Sequence, residues 1–351
     1  MTDNIYEPLA DAMDRLPNGF PRTPSKVEIA ILKKIFAPEE ALLASQLDGD
    51  MEPVDVIAER AGLSDKEVRT RLMKMAKRGL VWFDKQAEKP RFRLAPFIVG
   101  IYEAQLKSMD HELAHLVEKY MVEGGAAGIM KPQPALHRVV PAQRAMKSEW
   151  ILPYDDVRAV LLAARTFRVQ DCICRVQQDQ IGRQCNFPLK ACLTFFSDKR
   201  SSNPDDISRE EALAILDQAE EIGLVHTVSN IAEGVGYVCN CCVCCCGILR
   251  GITEWGIENS VAYANYFAVI DTDECLGCGI CRERCQVHAI SEQDERAVVD
   301  RERCIGCGLC VTGCPHEVAK LQRKPETEIV HPPGTFAIWE HERLLNRGLV
   351  K

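Results

Sequence analysis

Two stretches near the C-terminus are copies of one pattern. "DTDECLGCGICRERCQ" starts at Asp271 and "DRERCIGCGLCVTGCP" at Asp300, an offset of 29 residues. Each copy reads C-x2-C-x2-C-x3-C. Three thiols two residues apart can be wrapped round one small target by a tight loop. Glycines 277, 279, 306 and 308 let the backbone approach closely, so that its N–H groups can point at the sulfurs. This is the step that iron–sulfur loops use. Paired four-cysteine zinc sites are the competing reading, but zinc ribbons rarely carry the doubled pattern.

The repeat resembles the bacterial two-cluster ferredoxins, in which the fourth cysteine of each run crosses to the other cluster. The resemblance implies one [4Fe-4S] cluster on Cys275, Cys278, Cys281 and Cys314, and a second on Cys304, Cys307, Cys310 and Cys285. One position departs from the pattern. Gln286 stands where the first copy would have the proline that the second copy has at Pro315. A proline there mainly stiffens the turn, so no ligand is lost.

Ten of the 18 cysteines lie upstream, in residues 151–260. They are Cys172 and Cys174 in "DCICR", Cys185 and Cys192 in "CNFPLKAC", and six within eight residues of "CNCCVCCCG", Cys239 to Gly247. Read in steps of three, that run separates into Cys239, Cys242 and Cys245 and an interleaved pair, Cys241 and Cys244. The first register suits a further Fe-S cluster, of [4Fe-4S] type, with Cys172 or Cys174 (or Cys185 or Cys192) as the fourth ligand. A larger, non-cubane cluster and structural zinc are the alternatives. The segment also resembles the "CICR … C … C … CNCC" stretches attached to ferredoxin modules in iron–sulfur proteins of anaerobic bacteria, which implies cluster binding and no particular reaction.

Composition bounds the setting. The N-terminal "MTDNIYEPLADAMDRLPNG" has neither the basic nor the apolar region of a secretory signal. No apolar run approaches the roughly 18 residues of a membrane span. The cysteines are therefore expected as reduced thiols in a low-oxygen cytoplasm. A net charge of −8 argues against a protein that coats nucleic acid.

The N-terminal third is helical. Residues 1–25, with four prolines, read as an irregular arm. Residues 26–96 resemble a winged-helix domain: Gly62 ends one helix, Ser64 and Glu67 form a capping box for the next, and two alternating segments follow. Six basic residues on Ser64–Arg78 suit phosphate contacts, but also a docking surface for an acidic protein. Residues 97–150 read as one long amphipathic helix, about Phe97 to Glu123, and a Gly/Pro-rich linker. That helix carries "HELAH", His111 to His115, which matches the zincin pattern with Glu112 as base and a carboxylate such as Glu149 as third ligand. The metzincin extension is missing, because Glu118 and Met121 stand where glycine and histidine are needed.

The expected fold is α+β, with a winged helix, a mainly helical Cys-rich middle domain (151–260), a two-cluster ferredoxin-type α+β domain (261–320) and an extension (321–351). The expected function is single-electron transfer through the two ferredoxin-type clusters, and a third in the middle domain, to a partner oxidoreductase. The residues expected at the third cluster are Cys239, Cys242, Cys245, Cys172 and Cys174. DNA is a less favoured partner, and no membrane span is expected. A redox-sensing winged-helix regulator, and a reductase with a substrate-binding middle cluster, are the alternatives.

Overall fold

The computed structural model describes residues 5–84, 89–147, 151–183 and 185–350. The chain divides into two compact units. The first comprises residues 1–132, 176–183 and 340–351; the second comprises 133–175 and 184–339.

In the first unit, the stretch expected to be an irregular arm contains a helix, Glu7–Asp14, that buries Leu9, Ala10, Ala12 and Met13. Pro8 sits in its first turn, where a missing N–H costs nothing, so the proline starts the helix instead of breaking it. Helices Val27–Ile35 and Pro38–Ala44 precede a two-residue strand, β1 (Glu52–Pro53), and helix Val54–Ala61. Gly62 ends that helix at φ 65°, and Ser64 caps helix Asp65–Lys77 by accepting from the Glu67 N–H. Glu67's own carboxylate turns instead to Arg71, 2.6 Å away. Strands β2 (Val81–Asp84) and β3 (Arg91–Leu94) follow, in a three-stranded sheet of order β1-β3-β2.

The single long helix expected over Phe97 to Glu123 is not formed. Ile98 and Val99 leave helical geometry, with Val99 at φ 61°. A fresh helix, His111–Tyr120, is started by Asp110, whose carboxylate accepts from the Leu113 N–H at 2.9 Å. A polar side chain that satisfies a helix N-terminus marks a boundary that apolar periodicity passes over. The C-terminal extension also takes part. Arg343, fully buried, donates to the carbonyls of Pro17, Ile129 and Pro132 at 3.0, 2.7 and 2.6 Å.

The middle segment, expected to be mainly helical, is organised by a six-stranded antiparallel sheet. Its strands are β4 (His137–Val140), β5 (Thr166–Asp171), β6 (Lys190–Phe196), β7 (Asp206–Ile207), β8 (Val225–Ser229) and β9 (Tyr237–Cys241), in the order β4-β8-β9-β6-β5-β7. β4 comes from the stretch read as linker, and all four of its residues are buried. In β6, alternate residues Ala191, Leu193 and Phe195 are buried, the period-two signature of a strand. Helices Val157–Ala163 and Arg209–Ile222 cover the sheet, and Val157, Leu161, Ala212 and Leu216 pack on Phe167, Leu193, Phe195 and Val238. The same unit contains β10 (Tyr266–Ile270), paired with β13 (Ala319–Arg323), and the hairpin β11 (Ile290–Gln293) with β12 (Arg296–Val299). Short helices Ile280–Glu283 and Leu309–Thr312 follow Gly279 and Gly308 and pack together. No helix among the described residues is long and apolar enough to cross a membrane.

Arg343 gives a direct test of the first unit. Arg343→Met leaves the buried Pro17 and Ile129 carbonyls and the half-buried Pro132 carbonyl without this donor, and should lower unfolding stability by about 3 kcal/mol, read as a lower midpoint in chemical denaturation.

Candidate metal centres

The two copies of the C-terminal pattern enclose two cavities. One is lined by Cys275, Cys278, Cys281 and Cys314 with Ile270, Leu276 and Val318. The other is lined by Cys285, Cys304, Cys307 and Cys310 with Ala268, Ile290 and Leu309. Three cysteines of each set come from one run and the fourth from the other run. The lining of both is mainly apolar apart from sulfur, with His316 at the first site, where Cys278 and Leu276 are exposed.

Backbone geometry builds these loops. Gly277 and Gly306 take φ of 68° and 74°, and a Cβ would meet the Glu295 carbonyl oxygen at 2.2 Å or the Tyr266 carbonyl oxygen at 2.3 Å. No other residue type fits there. Main-chain N–H groups reach the sulfurs, from Ala289 to Cys285 at 3.2 Å and from Ala268 to Cys304 at 3.5 Å. Hydrogen bonds from the Ala297 and Gly277 amides lower the Cys275 pKa. Burial pushes the Cys307 thiol up to about 12. A metal ion must therefore displace its proton, since water at neutral pH will not remove it.

The ten upstream cysteines fall into two groups. Cys185, Cys242, Cys244 and Cys245 bring all four sulfurs within 4.8 Å of one another, and theirs is the one such group of three or more metal-binding side chains among the described residues. The other six are linked electrostatically in a closed ring, in which each thiol shifts the titration of two others. The linked pairs are Cys172 with Cys174 and Cys192, Cys174 with Cys246, Cys192 with Cys239, Cys239 with Cys241, and Cys241 with Cys246.

The sheet explains this division. β9 ends at Cys241, so Cys239 and Cys241 point to one face and Asn240 to the other. The β6–β9 register, Leu193 opposite Val238, places Cys192 beside Cys239. β5 leads through a bulge at Gln170/Asp171 into Cys172 and the helix Ile173–Gln180. Beyond Cys241 the chain turns, with the Cys246 N–H donating to the Cys242 carbonyl at 3.0 Å. The step-of-three register assumed uniform geometry through the run, but a strand has a period of two and the turn has none. Cys239 is therefore outside the compact group that contains Cys242 and Cys245. Cys239, Cys172 and Cys174 lie in the ring, whereas Cys242 and Cys245 lie in the compact group.

Several polar residues at these centres carried no signal in the cysteine spacing. Arg175, buried, donates to the carbonyls of Pro188 and Asn240 at 2.8 and 2.9 Å and lies 3.5 Å from the Cys242 sulfur. Burial works against its charge, but the neighbouring Cys172 and Cys242 sulfurs raise its pKa overall. Hydrogen bonds from Cys244 and Cys245 drive the Cys242 thiol strongly toward thiolate. Cys241 lies 3.5 Å from the Thr227 hydroxyl, which is 3.3 Å from His137 Nδ1, and His137 Nε2 meets the Tyr237 hydroxyl at 2.9 Å. Burial lowers the His137 pKa to about 4, so this imidazole is neutral near pH 7. Only "CICR" hinted at any of this, by putting Arg175 next to a cysteine.

Gln286 has a specific task. Its amide oxygen accepts from the Val243 N–H at 2.9 Å, between Cys242 and Cys244, and its nitrogen donates to the Gly223 carbonyl at 3.0 Å. Arg284 supports the same junction by donating to the carbonyls of Glu220, Glu221 and Leu309. A proline at 286 would make neither of the glutamine's bonds.

The "HELAH" histidines share an exposed helix face, with Nε2 atoms 3.2 Å apart. Glu112 is paired with Lys34. These residues join no group of three ligands among the described residues, and Glu149 lies outside them. On helix Asp65–Lys77, Lys66, Arg69, Lys74 and Lys77 line an open groove with Lys89, which is itself paired with Asp55.

Residues 268–321 match a family model described as a 4Fe-4S dicluster domain. Neither a curated protein nor a solved structure gives a match. The chain thus carries a ferredoxin-like 4Fe-4S domain and, upstream, a cluster of thiols arranged for metal.

The Gln286 clamp predicts a measurable coupling. Gln286→Ala should lower the stability of the protein by about 2 kcal/mol, the combined value of two buried hydrogen bonds and the groups left unpaired. Iron bound at the C-terminal domain should be unchanged, as read by thermal unfolding and metal analysis of one preparation.

Proposed function

We propose that this protein is an iron–sulfur electron carrier that relays low-potential electrons through two [4Fe-4S] clusters and a third cluster in the middle segment to a partner oxidoreductase. The observation that carries the reading is the pair of mainly apolar cavities, each lined by four cysteines with the fourth drawn from the opposite run. The first cluster belongs on Cys275, Cys278, Cys281 and Cys314, and the second on Cys304, Cys307, Cys310 and Cys285. Iron supplies the electron chemistry. The chain's own residues set the conditions for it: backbone amides aimed at sulfur favour the reduced state, and the mainly apolar lining lowers the local polarity.

The third cluster is assigned to the ring of Cys172, Cys174, Cys192, Cys239, Cys241 and Cys246. Thiolates stand outward from the corners of a cubane, roughly 6 Å apart, so a cradle for one needs sulfurs spread round a perimeter. No three of the ring's sulfurs crowd within 4.8 Å of one another. Ring and ferredoxin-like domain belong to one compact unit, which suits electron passage between them.

The basic groove on helix Asp65–Lys77 is proposed to dock an acidic redox partner. A second reading, a cluster-sensing regulator, rests on that same groove, because phosphates suit it as well as carboxylates do.

The full chain, purified without oxygen, should contain about twelve irons and as many sulfides. On reduction it should give magnetically interacting EPR signals. Cys239→Ser should leave about eight irons. A full chain whose dominant metal is zinc would rule the proposal out. Specific binding to a defined DNA duplex, lost on replacing Lys66, Arg69 and Lys74 with alanine, would favour the regulator.

A further inference from the structure

We infer that Cys185, Cys242, Cys244 and Cys245 hold a single divalent ion, zinc, in a site separate from every cluster. The sulfur spacing decides this. Cys185 lies 3.7 Å from Cys242 and 3.4 Å from Cys244, and Cys244 lies 3.8 Å from Cys245. Four thiolates at about 2.3 Å round one tetrahedral ion stand about 3.8 Å from each other. A cubane would need them far wider, at roughly 6 Å, and the quartet has all four sulfurs within 4.8 Å. A disulfide is also excluded as the cause of the close approach, because its sulfurs would be about 2.05 Å apart.

The local chain is built for closure on one ion. Three of the ligands come from the turn after β9, which is held by the Cys246 N–H on the Cys242 carbonyl and by Gln286 on the Val243 N–H. The fourth arrives from the loop before β6. Four thiolates and a divalent cation leave two negative charges, and the buried Arg175 guanidinium beside Cys242 offsets part of them. Binding releases the protons that remain on the thiols and moves no electron. A closed four-sulfur shell has no open position, so the ion's work is structural. It staples the 185 loop to the turn that follows Cys239 and Cys241, two members of the six-thiol ring.

The test uses the full chain, purified anaerobically, with zinc and iron measured together and the zinc site read by X-ray absorption. The expected result is about one zinc per chain, with four sulfurs at about 2.3 Å. Cys244 is exposed, so Cys244→Ser is the mildest perturbation, and it should lose the zinc and keep the iron. Cys239→Ser should keep the zinc and lose about four of the roughly twelve irons. An unmutated protein without zinc would overturn the inference, as would a Cys244→Ser protein that keeps zinc and loses iron. The absorption measurement needs no variant, so a misfolded mutant leaves the test intact. The iron inventory of the same sample tests the electron-carrier reading on its own.

Discussion

Asn240 holds the position on which the arrangement of the middle thiols depends. It is almost fully buried between two cysteines, and it donates to the Ala191 carbonyl at 2.7 Å and shares a 2.6 Å bond with His226 Nδ1. These bonds fix β9 as a strand up to Cys241 and turn the neighbouring sulfurs to the opposite face. A buried amide left without such partners would cost a few kcal/mol, on the order of 1–3, so the strand cannot slip without breaking both. From that fixed edge the next residues turn, and the run of six cysteines divides, with Cys242, Cys244 and Cys245 joining Cys185 in the compact group and Cys239, Cys241 and Cys246 left outside it.

Much of the ferredoxin-like domain could be read directly because its constraints are local. Three cysteines two apart with glycines between them define a loop wherever they occur, and the repeat supplies its own alignment. The helix ends at Gly62 and Ser64 were legible for the same reason. The middle segment was less so. Thiol spacing there is set by pairing between strands far apart in sequence, such as β6 with β9, and a cysteine in a strand looks like a cysteine in a loop. Pro8 and Asp110 show a second difficulty. Both mark helix starts, but a proline among four in 25 residues suggests an irregular arm, and Asp110 lies inside an apolar pattern that runs past it.

The departure of the first repeat from its own pattern has a physical account. Where the second copy has Pro315, the first has a glutamine whose two ends bind the main chain at Val243 and Gly223. Arg284, two residues earlier, adds three carbonyl contacts. The C-terminal domain is thus fastened to the turn that carries Cys242, Cys244 and Cys245. A carrier that passes electrons between centres gains from such rigidity, since the separation of its clusters then does not fluctuate. The stapling ion proposed for the quartet would tighten the same turn from its other side.

The central claim is that spacing sorts the thiols, with spread sulfurs taking clusters and crowded sulfurs taking one ion. A Mössbauer spectrum of the full chain, enriched in ⁵⁷Fe and prepared anaerobically, examines it most directly. The account predicts that all the iron appears in cluster environments, with about one third of it beyond the two ferredoxin-type cubanes. A mononuclear four-thiolate iron component, or cluster iron limited to the two C-terminal cubanes, would contradict it.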